Sequence, residues 1–88
     1  MSKTIWKFPL KTTDEQVVEM PSGAEILSVQ TQYGEPCVWA MVDPTHKRVA
    51  KVFHIFGTGH RIPEANRKFI GTYQLEGGAL VFHLFEVL

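Results

Sequence analysis

The 88-residue chain has a single cysteine, no net charge and no long apolar run. One thiol excludes a disulfide framework and a four-cysteine zinc site, the usual reinforcements of a domain this small. At 10.0 kDa, area scaling leaves only about 64% of the unfolded surface buried. The core is therefore thin, and self-association is the expected source of extra stability. Nine Lys and Arg balance nine Asp and Glu, which argues against a general nucleic-acid binder that must neutralise many phosphates. Uncharged stretches such as Val52–His60 and Gly77–Phe85 reach nine residues, half the length of a membrane-spanning helix. Lys3 is not followed by the apolar run and cleavage site of a signal peptide. A soluble protein of a reducing cytoplasm, without membrane contact, is the expectation.

Long helical periodicity is missing as well. Runs of four to nine residues rich in Val, Ile, Phe, Tyr, Trp and Thr alternate with Gly, Pro and Asp, the pattern of short strands. Trp6, Phe8 and Leu10 fall on one face of an opening strand that Pro9 marks as an edge. Glu15–Met20 reads as a second strand, although Thr13–Gln16 also has the form of a capping box. Tyr33-Gly34 sits like a hairpin turn between two strands. Val38–Val42 and Ala79–Phe85 show little polar alternation and read as central strands buried on both faces. Ile62–Asn66 has proline placed for the first turn of a helix. The expectation is one all-β domain over residues 1–88, a small antiparallel sandwich or barrel of six to seven short strands with at most one short helical turn.

Charge is segregated along the chain. Lys3, Lys7 and Lys11 are the only charged residues before position 14, residues 12–46 hold six acids and no Lys or Arg, and residues 47–68 return six bases against Glu64. Neighbouring strands can pair such blocks, or the third block can form a local cationic patch.

Candidate chemistry is sparse. Gly57-Thr58-Gly59-His60-Arg61 can converge backbone N–H groups on an anion, with His60 and Arg61 adding donors suited to phosphate or carboxylate. A tight turn explains both glycines without a ligand. The four histidines, at positions 46, 54, 60 and 83, match no compact ligand spacing, so no metal or other cofactor is expected. His54 and His83 lie in apolar strands, and their alternate neighbours Val52, Phe56, Val81 and Phe85 assign them to inward faces, as core or as pocket lining. Cys37 reads as a structural thiol. No serine elbow or carboxylate pair is present, so an enzyme is disfavoured. Trp6, Lys7 and Phe8, on the edge strand, are interface candidates.

The strings Thr4-Ile5-Trp6-Lys7-Phe8-Pro9-Leu10, Glu19-Met20-Pro21, Gly23–Gln30, Pro36–Ala40, Gly57–His60 and Gly77–His83 resemble, over essentially the whole chain, a family of small phage and prophage proteins carried as a domain of unknown function. The resemblance implies a small β-rich accessory factor acting by binding in the cytoplasm of an infected cell. Proteins of that size include oligomeric sponges that sequester cyclic or ADP-ribose-type nucleotide signals. The leading expectation is therefore a non-enzymatic homo-oligomer that captures a small anionic, nucleotide-like ligand and counters host defence. The alternative is a protein-interaction module binding a host or phage protein through an edge strand, or a minor virion or assembly component.

Overall fold

The computed structural model describes residues 2–88. Seven strands follow one another: β1 (Thr4–Pro9), β2 (Glu15–Pro21), β3 (Glu25–Gln32), β4 (Glu35–Val42), β5 (Arg48–Gly57), β6 (Arg67–Leu75) and β7 (Leu80–Val87). They form two antiparallel sheets, ordered β1-β4-β3 and β2-β5-β7-β6. Alternation explains the layering. Val38, Ala40 and Val42 of β4 share a buried core with Met20, Phe53, Ile55, Tyr73 and Leu84 of the other sheet. The smallest dimension, 15 Å, fits two sheets packed about 10 Å apart. The expected small antiparallel sandwich is present.

Tyr33 and Gly34 have φ of 53° and 79°, the two left-handed positions of a primed hairpin turn, and they fix Gln32 opposite Glu35. β4, β5 and β7 are the interior strands, so Val38–Val42 and Ala79–Phe85 are central as their composition predicts. Their outward residues are only half-buried in part, including Trp39, Met41, Val81 and Phe85, so burial on both faces overstates the case. The helical turn expected at Ile62–Asn66 is also corrected. That segment has no regular structure, and the one short 3-10 turn lies at Glu76–Gly78. Arg67 donates to the Pro63 carbonyl and Leu88 N–H donates to Asn66 O, which holds the segment open along the sheet.

Thr13–Gln16 begins no helix. Gln16 lies in β2, where its carboxamide accepts from Lys11 N–H at 3.1 Å and donates to the Lys11 carbonyl and to Thr13 Oγ1. It braces the Leu10–Asp14 arch that carries the chain from one sheet to the other. The Thr12 and Tyr73 hydroxyls, 2.9 Å apart, pin the same arch to β6.

The two long sides of the sandwich differ. β3 packs along β6, so closely that a Cβ on Gly71 would lie 2.9 Å from Val29 Cγ1. Val29 is buried and β-branched and cannot swing aside. Gly71→Ala is therefore expected to destabilise the fold by about 1–3 kcal/mol, read as a lower denaturation midpoint, and Val29→Ala in the same chain should recover part of it. Unchanged stability in Gly71→Ala would contradict the close approach. All four outer strands lack a second ladder partner, but β3 and β6 lie against each other, whereas β1 and β2 are edges on the opposite side. Trp6 of β1 faces inward there, with the Arg48 guanidinium 4.9 Å above its ring, so a cation–π contact links the sheets near their open side.

Candidate functional site

The solvent side of the four-stranded sheet carries the densest group of chemical side chains. In β5, Phe53 and Ile55 are buried, so Val52, His54 and Phe56 point outward. In β7, Leu84 is buried and Val81, His83 and Phe85 point outward. Both histidines thus lie one residue out of phase with the inward placement read from sequence. Strands with apolar residues of both parities leave the phase to the pairing register.

Register then assembles the face. Glu15 pairs with His54, His54 with Phe85, and Phe85 with Phe69. The rings form a tilted and edge-on series, Phe56 to Phe85 at 5.8 Å and Phe85 to Phe69 at 5.3 Å between centroids. Phe69 is 54% exposed. The Arg67 guanidinium lies 5.0 Å from the Phe56 ring centre. Its Nε donates to His54 Nδ1 at 2.8 Å, and His54 Nε2 faces Glu15 Oε2 at 2.7 Å. An acceptor Nδ1 requires the proton on Nε2, so the arrangement specifies a neutral imidazole that donates to Glu15. His83 is held by two hydroxyls, Thr58 Oγ1 at 2.8 Å from Nε2 and Thr72 Oγ1 at 2.9 Å from Nδ1.

Gly57–Arg61 follows β5 as a turn. Gly59 adopts φ of +85°, and His60 N–H donates to Gly57 O at 3.1 Å. Thr58 N–H donates to Val81 O at 3.2 Å. Two of the N–H groups, and the Thr58 hydroxyl, are therefore engaged within the fold. What the turn leaves exposed are the His60 and Arg61 side chains. Gly57, Thr58 and His60 border a cleft of about 360 Å³ with Leu80 and Phe82. A larger cleft, about 590 Å³, opens just beyond Arg61 between the Ile62–Ala65 segment, Arg67 and Phe85.

The interface candidates divide. Trp6 and Phe8 pack toward the core, whereas Lys7 is exposed and donates to Gln32 Oε1 at 2.6 Å. The exposed apolar residue of β1 is Ile5. Cys37 is buried, with its Sγ 3.6 Å from Glu35 O. Asp43 closes the β4–β5 turn. Its carboxylate accepts from the hydroxyl and N–H of Thr45 at 2.6 and 3.0 Å, and these bonds hold its pKa below the usual value. Among the described residues, no group of three His, Cys, Asp or Glu is placed to hold a metal ion. Among the same residues, no helix is long and apolar enough to cross a membrane.

A family model described as Domain of unknown function (DUF7352) matches residues 1–88. The chain belongs to this family. No curated protein and no solved structure matches it. The DUF7352 assignment carries no activity with it, so function rests on the sheet face itself. Sequence reasoning placed the candidate ligand loop at residues 57–61 and read His54 as inward, as core or pocket lining; it missed Arg67 and Phe85, which line the larger cleft. The available signal was the outward pairing of Phe85 with Phe69 and His54, which requires the register.

Proposed function

We propose that the protein is a non-enzymatic binding module that captures a small aromatic anion, nucleotide-like in chemistry, on the solvent side of its four-stranded sheet. The observation that carries this reading is the cleft of about 590 Å³ with Phe85 and Arg67 in its wall, next to which the exposed Arg61 stands one residue before Ile62 in the chain. Phe85 offers a stacking surface for a base, and a guanidinium is the best single-residue partner for a phosphate. One or two local cations suffice for such a ligand, which accords with a chain of zero net charge. Both buttressing histidines are fully engaged by Thr, Arg and Glu partners, an arrangement suited to holding the face rigid. The sequence resemblance supplies the setting, an accessory phage product that withdraws a nucleotide signal from host defence in the cytoplasm.

Thermal denaturation with cyclic AMP, a cyclic dinucleotide, ADP and ADP-ribose tests the proposal. Ligand at about 100 times its Kd stabilises a fold by about 2.7 kcal/mol, several degrees in Tm for a domain of this size. The expected result is such a shift with at least one compound, lost in Arg61→Ala and in Phe85→Ala and retained in Lys47→Ala. No shift across the panel overturns the proposal.

A further inference from the structure

The two sheet edges on the side away from β3 and β6 carry complementary patterns. On the outer face of one sheet, exposed Lys3, Ile5 and Lys7 alternate along and just before β1, and on the outer face of the other, exposed Glu15, Val17 and Glu19 alternate along β2. Each is a β-branched apolar residue flanked by two like charges, of opposite sign on the two strands. Ile5 and Val17 are 55% and 60% exposed, among the most exposed large apolar residues of the chain.

The backbone agrees. Leu10 N–H donates to Pro36 O beside β4, while Pro9, one residue earlier, has no N–H to offer. In an antiparallel ladder bonding direction alternates, so the outward backbone groups of β1 belong to Ile5 and Lys7. In β2, Asp14 O accepts from Ile55 N–H and Ser22 N–H donates to Lys47 O, so the outward groups belong to Glu15, Val17 and Glu19. The same residues thus present free backbone groups at the edge and matching side chains on the face.

We propose that the chain forms a closed dimer in which β1 of each copy pairs antiparallel with β2 of the other, with Ile5 opposite Val17, Lys7 opposite Glu15 and Lys3 opposite Glu19. The five-residue arch between β1 and β2 reverses the chain, so a twofold axis parallel to the strands gives antiparallel pairing at both junctions. It also joins outer face to outer face. Each three-stranded sheet continues into the four-stranded sheet of the other copy, and the β1 and β2 edges are covered in both copies. Glu15 keeps its bond to His54, because the second oxygen and most of its surface remain open. Pairing of β1 with β1 would set lysine against lysine, so the same charges reject the wrong arrangement. This dimer is independent of the ligand reading and stands if the nucleotide panel is silent.

Sedimentation velocity tests it. The wild-type chain is expected to sediment as a dimer. Reversing one edge, in Lys3→Glu/Lys7→Glu or in Glu15→Lys/Glu19→Lys, turns every charged pair at both junctions repulsive and should weaken the dimer by about 100-fold or more. An equimolar mixture of the two variants restores attraction at both junctions, so it should form a heterodimer, which loss of folding in either variant would not allow. A wild-type chain that stays monomeric up to roughly 100 µM, either variant dimerising alone as well as wild type, or a mixture that fails to associate would overturn the proposal.

Discussion

Phe53→Ala is expected to lower the unfolding free energy by about 3–5 kcal/mol. Phe53 is fully buried at the middle of β5, an interior strand, and shares its core with Val38, Ala40 and Val42 of the facing sheet. Its ring is the largest fully buried side chain in the molecule. Truncation removes the transfer free energy of the ring and leaves a void that β-sheet neighbours on both sides cannot close. A domain of this length has about 4–13 kcal/mol of total stability, so the loss ranges from about a quarter to all of it. Urea denaturation checks this, with a lower midpoint at unchanged slope. A loss below about 1 kcal/mol would mean that the two sheets do not close on this side chain as described.

The second large effect concerns an ion pair on the inner side of the four-stranded sheet. Lys51 Nζ donates to Glu86 Oε2 at 2.7 Å, with the two side chains 22% and 11% exposed. Both lie on the face that carries Phe53, since Glu86 stands opposite Phe53 in the ladder. Lys51→Met keeps the stem but leaves the Glu86 carboxylate without its cation. Breaking a fully buried pair in this way costs about 3–5 kcal/mol, and the residual exposure here lowers the expectation to about 2 kcal/mol. The double variant Lys51→Met/Glu86→Leu, which buries no lone charge, should return close to the wild type. Denaturation midpoints of the three chains decide the matter. A Lys51→Met loss of only a few tenths of a kcal/mol would place the pair with ordinary surface pairs.

Turn chemistry made most of the fold legible from sequence. Pro21, Tyr33-Gly34, Asp43-Pro44 and Gly77-Gly78 punctuate the strands where the structure ends or turns them, and the apolar density of Val38–Val42 marked an interior strand. Two things were hidden. The phase of β5 and β7 was undetermined because Val52, Phe53, Ile55 and Phe56 are apolar on both parities, so the outward placement of His54 and His83 depended on long-range pairing. The Ile62–Asn66 segment has a proline suited to a helix start, yet Arg67 and Leu88 bond its carbonyls from outside and tertiary contact overrides the local signal. The candidate site was unreadable for a related reason. Glu15, His54 and Arg67 come from three strands and meet only through the register, whereas the 57–61 turn is contiguous and therefore visible. The charge blocks, by contrast, were visible as composition. Their meaning emerged once β1 and β2 proved to be edge strands on the same side of the sandwich.

An NMR titration with the same nucleotides addresses the central claim most directly, because backbone amide shifts locate a ligand residue by residue. Binding on the solvent side of the four-stranded sheet predicts perturbations gathered at residues 61–67 and 83–87, with β1 and the inner-face amides of β4 unmoved. Perturbations centred on any other surface, or an unchanged spectrum with every compound, would contradict it.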